Sequence, residues 1–295
     1  MDSHISVLLQ EGTEGLALTE GKTVFEGTVG LGGHSRVLCE KIGKVGLFIG
    51  TDADAESLKI AEDRLKDLPC KKIFVCDNFR NIKNILKQAG VENVDAILLD
   101  IGLSNRQLEK TPRGFSFMRD EPLLMTFSSS GEGLTAREIV NEWAEESIAD
   151  IIYGYGEERY ARRIAKGIVE ARKEKPIETS GQLADIVKNC VPKFGFSKIN
   201  PATKTFQALR IAVNDELGAL REGLAGGFEC LADGGRMAVI SFHSLEDRIV
   251  KEFFKQKARE GLAIIATKKP IVPSDTEIKE NPKSRSAKLR IIIKN

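Results

Sequence analysis

The chain has 295 residues, 41% of them apolar and 29% charged, with a formal net charge of +1. That balance belongs to a folded globular protein of one large or two ordinary domains, and any nucleic-acid surface on it must be a local patch. It has no apolar run of about 18 residues that could span a membrane and no basic, apolar leader, while five scattered cysteines without a Cys-x-x-Cys pair and three histidines argue against structural zinc and for reduced thiols in a cytoplasmic setting.

Residues 4–9 read two ways, as a cover over a site or as closure of the core. Residues 23–25 form a short apolar run that ends in the carboxylate of Glu26. A turn follows with Gly27, Gly30, Gly32 and Gly33, and a helix opens at His34 or Ser35. Strand, glycine-rich turn and helix N-terminus in succession begin a nucleotide-binding α/β sheet. Glycine can take φ > 0 and lets a ligand touch the backbone. The helix start offers unpaired N–H groups and partial positive charge. A dinucleotide turn, Gly-x-Gly-x-x-Gly, would need glycine where Ser35 stands, so an NAD-dependent oxidoreductase fits poorly. An acid at the strand end followed by Gly30-x-Gly32 is instead how turns that hold S-adenosylmethionine (SAM) begin.

Residues 46–51 read as the second strand. Asp52 at its end lies about 20 residues beyond Gly32, where a ribose-binding acid is expected. Asp54 suits the cap of a helix that begins near Ala55, and apolar residues at 58, 61 and 65 continue it. Residues 72–76 read as the third strand. Phe79, just beyond, either stacks on an adenine ring or plugs the core, and Asn78 or Asn81 can cap the helix to Ala89. Residues 95–100 form a fourth strand with an apolar centre, buried on both faces. Asp100 then stands at the topological switch point, where a buried carboxylate is costly unless it binds something.

From 105 to 203 the alternation of strand and helix stops. Helical spacing marks 136–152, 157–171 and 180–191, which predicts a helical domain inserted after the fourth strand. Arg159, Arg162, Arg163 and Lys166 form a basic stripe beside Tyr160. It suits RNA, or it is a solvated face paired with Glu157, Glu158 and Glu170. A long amphipathic helix is expected over 205–231, a turn at 233–235, and a fifth strand over 236–242. His243 and Ser244 follow at the same ligand-facing end. A helix over 245–257 and two closing strands, 262–267 and 288–293, complete the chain. Between those strands lies a basic loop with Lys283 and Arg285.

Several blocks carry a closer likeness: Thr28-Val-Gly-Leu-Gly-Gly-His-Ser35, Leu98-Leu-Asp-Ile-Gly-Leu-Ser104 with Gln107-Leu108, Arg113-Gly-Phe-Ser-Phe-Met-Arg-Asp120, Pro201-Ala-Thr-Lys-Thr-Phe-Gln-Ala-Leu-Arg210 and Ser241-Phe-His-Ser-Leu-Glu-Asp-Arg248. Together they resemble the MraW/RsmH-type cytosine-N4 methyltransferases of small-subunit ribosomal RNA, across nearly the whole chain. The resemblance implies a Rossmann-like class I α/β methyltransferase sheet, discontinuous over 1–104 and 205–295, with a helical substrate-recognition domain inserted at 105–204. It implies SAM as donor and a decoding-region cytosine of 16S rRNA as target. It further implies a cytoplasmic location. The composition and the chemistry lead to no membrane and no metal, and leave monomer and homodimer both open.

The family's SAM contacts carry over to Gly32, Gly33, His34, Asp52, Phe79, Asp100 and Gln107. Glu26 and Gly30 join them from the reading of the turn. Acceptor-side candidates are Asp100, His243 and Ser244; rRNA-binding candidates are Arg159, Arg162, Arg163, Lys204, Lys283 and Arg285. The chain departs from the family at Glu26, usually Asp, at Asn200, often His, and over 124–128, where three charges are lost. That last change leaves a second reading, a non-catalytic RNA-binding or ribosome-assembly protein that retains a SAM pocket.

Overall fold

The computed structural model describes residues 6–102, 111–127, 133–192 and 200–295. The chain divides into two compact units, Met1–Gly102 with Leu217–Asn295, and Leu103–Glu216.

The first unit is built on seven strands: β1 (Thr23–Glu26), β2 (Leu47–Asp52), β3 (Lys71–Cys76), β4 (Val94–Asp100), β5 (Leu231–Ser241), β6 (Ala263–Ile265) and β7 (Lys288–Lys294). Their spatial order is β3-β2-β1-β4-β5-β7-β6. The first five run parallel, and β7 pairs antiparallel with both β5 and β6. Strand order reverses between β1 and β4, so the crevice for a ligand opens at their carboxyl ends.

Side chains alternate across the sheet. Val24 and Phe48 pack on one face with Leu38 and Ile42 of α2 (Gly33–Ile42) and Leu58 and Leu65 of α3 (Ala55–Leu65). Phe25 and Ile49 pack on the other face. There they meet Ile85 of α4 (Ile82–Gln88), Leu224 of α10 (Glu216–Cys230) and Phe254 of α11 (Ser244–Arg259). A short helix, α1 (Leu9–Gly15), precedes β1.

The expected turn at 233–235 lies within β5. Between paired positions the chain advances from Val94 to Ala96 on β4 but from Leu231 to Arg236 on β5. Asp233-Gly234-Gly235 is absorbed as a bulge, with Gly234 at φ 74.

The second unit is helical: α5 (Ala136–Glu142), α6 (Glu145–Gly156), α7 (Ala161–Glu174), α8 (Ser180–Cys190) and α9 (Thr203–Asn214). Its core gathers Ile139, Ile152, Ile164, Leu183 and Leu209. Thr135 with Glu138 and Thr179 with Gln182 close reciprocal caps at the starts of α5 and α8. The helix expected over 136–152 is two, because Trp143 and Ala144 are extended. The one expected from Glu157 begins at Ala161, because Glu157 takes φ 47.

The long helix expected over 205–231 also breaks. Asp215 takes φ 45 between α9 and α10, and Arg210 holds Glu216 across the break through two bonds of 2.7 and 2.8 Å. Phe206, Ala208 and Leu209 of α9 belong to the helical core. The second boundary therefore falls at Glu216/Leu217 instead of at 204/205.

Candidate active site

β1 ends in Glu26, whose side chain is fully buried. The turn beyond it is tied to both neighbouring strands. Gly27 donates its N–H to the Leu98 carbonyl at 3.0 Å and Val29 donates to that of Thr51 at 3.1 Å. The Asp100 N–H donates to Thr28 Oγ1 at 2.7 Å. Gly30 and Gly32 take φ 53 and 82, and Gly32 caps α2 with no side chain to occupy its free N–H groups. A Cβ at Gly27 would stand 2.4 Å from Leu99 Cδ2 and 2.7 Å from Phe79 Cβ. The glycines are thus required by backbone conformation at two positions and by close approach at a third.

Ser35, which breaks the dinucleotide pattern, donates its hydroxyl to Glu26 Oε2 at 2.5 Å. The other oxygen, Oε1, is buried without a partner. Burial drives the Glu26 carboxyl well above its ordinary range; the Ser35 bond opposes this, and the charges of Asp100 and Asp52 add to it.

Asp52 accepts from Gly30 N at 2.8 Å through Oδ2 and from Asp54 N at 2.9 Å through Oδ1. Burial outweighs those bonds and lifts its pKa to about 6. Asp54 caps α3, taking the Glu56 N–H at 3.3 Å and the Ser57 hydroxyl at 2.9 Å.

Asp100 has one buried oxygen, Oδ1, with no partner. Burial first, then the nearby charge of Glu246, raises its pKa to about 7. Its side chain keeps 24% exposure, and its Oδ2 lies 3.7 Å from His34 Nδ1. Three carboxyl groups thus meet at the switch point, all pushed toward the protonated form. Among the described residues, His34 is the basic side chain within ion-pair distance of any of them.

His34 Nε2 lies 3.1 Å from the Val7 carbonyl, which can only accept, so Nε2 carries the proton. With its ring 4% exposed, His34 presents little of its side chain to a ligand. Ser6 reaches the turn too, its Oγ 1.9 Å from where a Cβ on Gly33 would stand. Ser6 and the Val7 carbonyl thus lie against the turn and the helix it opens, while the Val7 and Leu8 side chains close the core with Val24 and Leu38.

Phe79 is partly buried and packs against the core that contains Phe25 and Ile85. Asn78 caps its short helical turn by accepting from Arg80 N at 3.0 Å. Gln107 lies outside the described residues.

His243 serves as a cap: its Nδ1 accepts from Glu246 N at 3.4 Å at the start of α11, with Ser244 the first helical residue. Its Nε2 is 3.0 Å from Glu246 Oε1 without hydrogen-bond alignment. Glu246 is fully buried, accepts from the Phe242 and His243 N–H groups, and its charge reaches Asp100. Sequence reasoning passed over Ser35 and Glu246; the reciprocal-cap spacing from His243 to Glu246 was the available signal for the second.

In the helical unit, α7 buries Ala161, Ile164, Ala165 and Ile168 and presents Arg162, Arg163 and Lys166 to solvent. Arg162 and Arg163 make no ion pair among the described residues; Glu170 pairs with Lys173 at 2.9 Å and also feels the charge of Lys166, and Glu158 lies 4.0 Å from Lys204. Arg159 lies over the Tyr160 ring at 4.6 Å. Lys204 donates to the Glu157 carbonyl at 2.8 Å, so its ammonium braces the turn before α7. Lys283 and Arg285 are exposed on a short helical turn of the first unit, Pro282–Ser286.

A family model described as the MraW methylase family matches residues 1–295. The chain belongs to that family. Relatives named ribosomal RNA small subunit methyltransferase H include one from Deinococcus deserti, 52% identical over 97% of this chain and 92% of its own. One from Symbiobacterium thermophilum is 45% identical over 99% and 96%, and one from Clostridioides difficile is 42% identical over 98% and 97%.

The site residues suit an MraW methylase's donor. Buried acids with unpartnered oxygens at Glu26 and Asp100 call for a cationic or hydrogen-donating ligand. The bare N-terminus of α2 calls for a carboxylate, and Asp52 for ribose hydroxyls. SAM carries all of these groups.

Proposed function

We propose that this MraW-family chain is a SAM-dependent methyltransferase that methylates N4 of a cytosine in the decoding region of 16S rRNA, in the cytoplasm. The observation that carries the reading is the convergence of Glu26, Asp52 and Asp100 on a glycine turn at the switch point, two of them with buried, unpartnered oxygens. The printed names of the relatives supply the ribosomal RNA.

SAM, when bound, supplies a methyl group already activated by its sulfonium. The turn of Gly30 to Gly33 and the start of α2 receive its amino-acid end, Asp52 its ribose, and Phe79 its base. The acceptor is an exocyclic amine whose lone pair is conjugated into the ring. Asp100 accepts a hydrogen bond from that amine, which lets the nitrogen pyramidalise. The Glu246–His243 cap holds the backbone beside Asp100. Arg159, Arg162 and Arg163 take RNA phosphates, with Lys283 and Arg285 as further contacts, while the target base leaves its stack.

The test is labelled SAM with undermethylated small ribosomal subunits, followed by nucleoside mass spectrometry. N4-methylcytidine is expected, and it should vanish with Asp100→Ala. SAM binding without methyl transfer to any subunit would leave a non-catalytic RNA-binding protein in its place.

A further inference from the structure

The three carboxyl groups of the site pose a problem of charge. Glu26 is fully buried, its Oε1 has no partner, and its Oε2 has one hydroxyl. Asp100 Oδ1 is likewise buried and alone. Among the described residues, the groups that act on Glu26 are neutral or acidic. From α2 come Ser35 and, one turn on, the Cys39 thiol. From the end of β2 comes Asp52, with Asp54 beside it. From β4 comes Asp100, with Glu246 of α11 behind it. Asp77, beyond β3, is close enough to act on Cys76 together with Asp52 and Asp54. Among the described residues, the basic group at ion-pair distance is His34, against Asp100. Uncompensated buried carboxylates hold protons, so without a cationic ligand the cluster is in part protonated.

We infer that Glu26, Asp52 and Asp100 exchange a cation for a proton: the cluster sheds a proton when the cationic donor binds and regains one when the donor has become neutral. The inference rests on SAM being the ligand. The atoms balance. The amine nitrogen forms its bond to the methyl carbon, and the carbon–sulfur bond breaks with its electron pair left on sulfur. The methylated nitrogen then loses one proton. The sulfonium charge disappears as that proton appears, and a carboxylate that had faced the cation accepts it. The charge enclosed by the site is the same before and after transfer. The product, S-adenosylhomocysteine, then sits beside a protonated acid, so the site tells donor from product by charge, and does so more sharply as pH rises.

Isothermal titration calorimetry on the full chain tests this, with SAM and with S-adenosylhomocysteine, each in phosphate and in Tris. The dependence of heat on buffer ionisation enthalpy counts the protons released. SAM binding is expected to release more protons than product binding, by up to about one per site near pH 6.5. The ratio of the product's Kd to that of SAM should rise by up to about tenfold per pH unit from pH 6 to 7, then level off. Glu26→Gln, which keeps the shape and removes the charge, should narrow both differences. Equal proton release by the two ligands, or a ratio independent of pH, overturns the inference while leaving SAM binding intact. Absence of heat with both ligands at pH 8 would instead remove the donor reading itself.

Discussion

Replacing Asp100 by Asn should make the ligand-free protein more stable while abolishing donor binding. The carboxyl has its pKa raised from 3.8 to about 7 in the folded chain. An acid with a raised folded pKa stabilises the fold at low pH and loses that contribution as pH climbs through the folded value. At pH 8 the ionised group costs the fold about 4 kcal/mol, at roughly 1.4 kcal/mol per unit. At pH 5 only about 1 unit separates the pH from the unfolded pKa, and the cost is about 1.5 kcal/mol. Asparagine removes the charge but leaves an amide beside the unpartnered position of Oδ1, a penalty of about 1–3 kcal/mol. The net gain is therefore about 1–3 kcal/mol at pH 8 and near zero or negative at pH 5. The Asp100 N–H bond to Thr28 is unaffected by the change. Urea unfolding of both proteins at the two pH values measures this. A wild-type stability that does not fall between pH 5 and 8, or an Asn variant that is less stable at pH 8, would refute the argument.

Other consequences are simpler to read. Gly27→Ala drives a Cβ to 2.4 Å from Leu99 Cδ2 and 2.7 Å from Phe79 Cβ; thermal unfolding should show a loss of about 1–3 kcal/mol, and SAM affinity should fall as Phe79 moves. Reversing Arg162 and Arg163 to Glu should weaken rRNA binding and flatten its salt dependence, with the slope of log K against log salt falling by about 1 per lost phosphate contact; an unchanged slope would make α7 ordinary surface. In a thermal-shift comparison, SAM at 100 times its Kd should stabilise the chain by about 2.7 kcal/mol, and NAD should not, because Ser35 is committed to Glu26.

Much of the sheet was legible because three of the first four strands, β1, β2 and β4, are apolar runs that end in a carboxylate, at Glu26, Asp52 and Asp100. Parallel strands buried on both faces must look that way, and the acid marks the carboxyl end of each. The turn was legible because φ > 0 selects glycine at 30 and 32. What escaped reading depends on partners distant in sequence or on a single backbone angle. Ser35 looked like a flaw in a motif until Glu26, nine residues earlier, was brought beside it. The hold of the Lys204 ammonium on the Glu157 carbonyl joins residues 47 apart. The break at Asp215 leaves no trace in the amphipathic pattern, because one residue in the left-handed region interrupts the helix without changing which residues are apolar. The altered loop at 124–128 was also opaque: Met125 takes φ 59 and is fully buried, and Asn214 grips the Met125 carbonyl and the Phe127 N–H at 2.8 Å each.

The position of β7 bears on how the molecule is made. It is the last of the seven strands along the chain, yet it lies between β5 and β6. A nascent polypeptide that has produced everything up to residue 287 still exposes one long margin of β5, with Met237, Val239 and their neighbours awaiting hydrogen-bond partners. Such a margin invites pairing with another chain. Completion of the sheet is therefore deferred until residues 288–294 have been made, and a product cut before them would be recognisable by its tendency to precipitate.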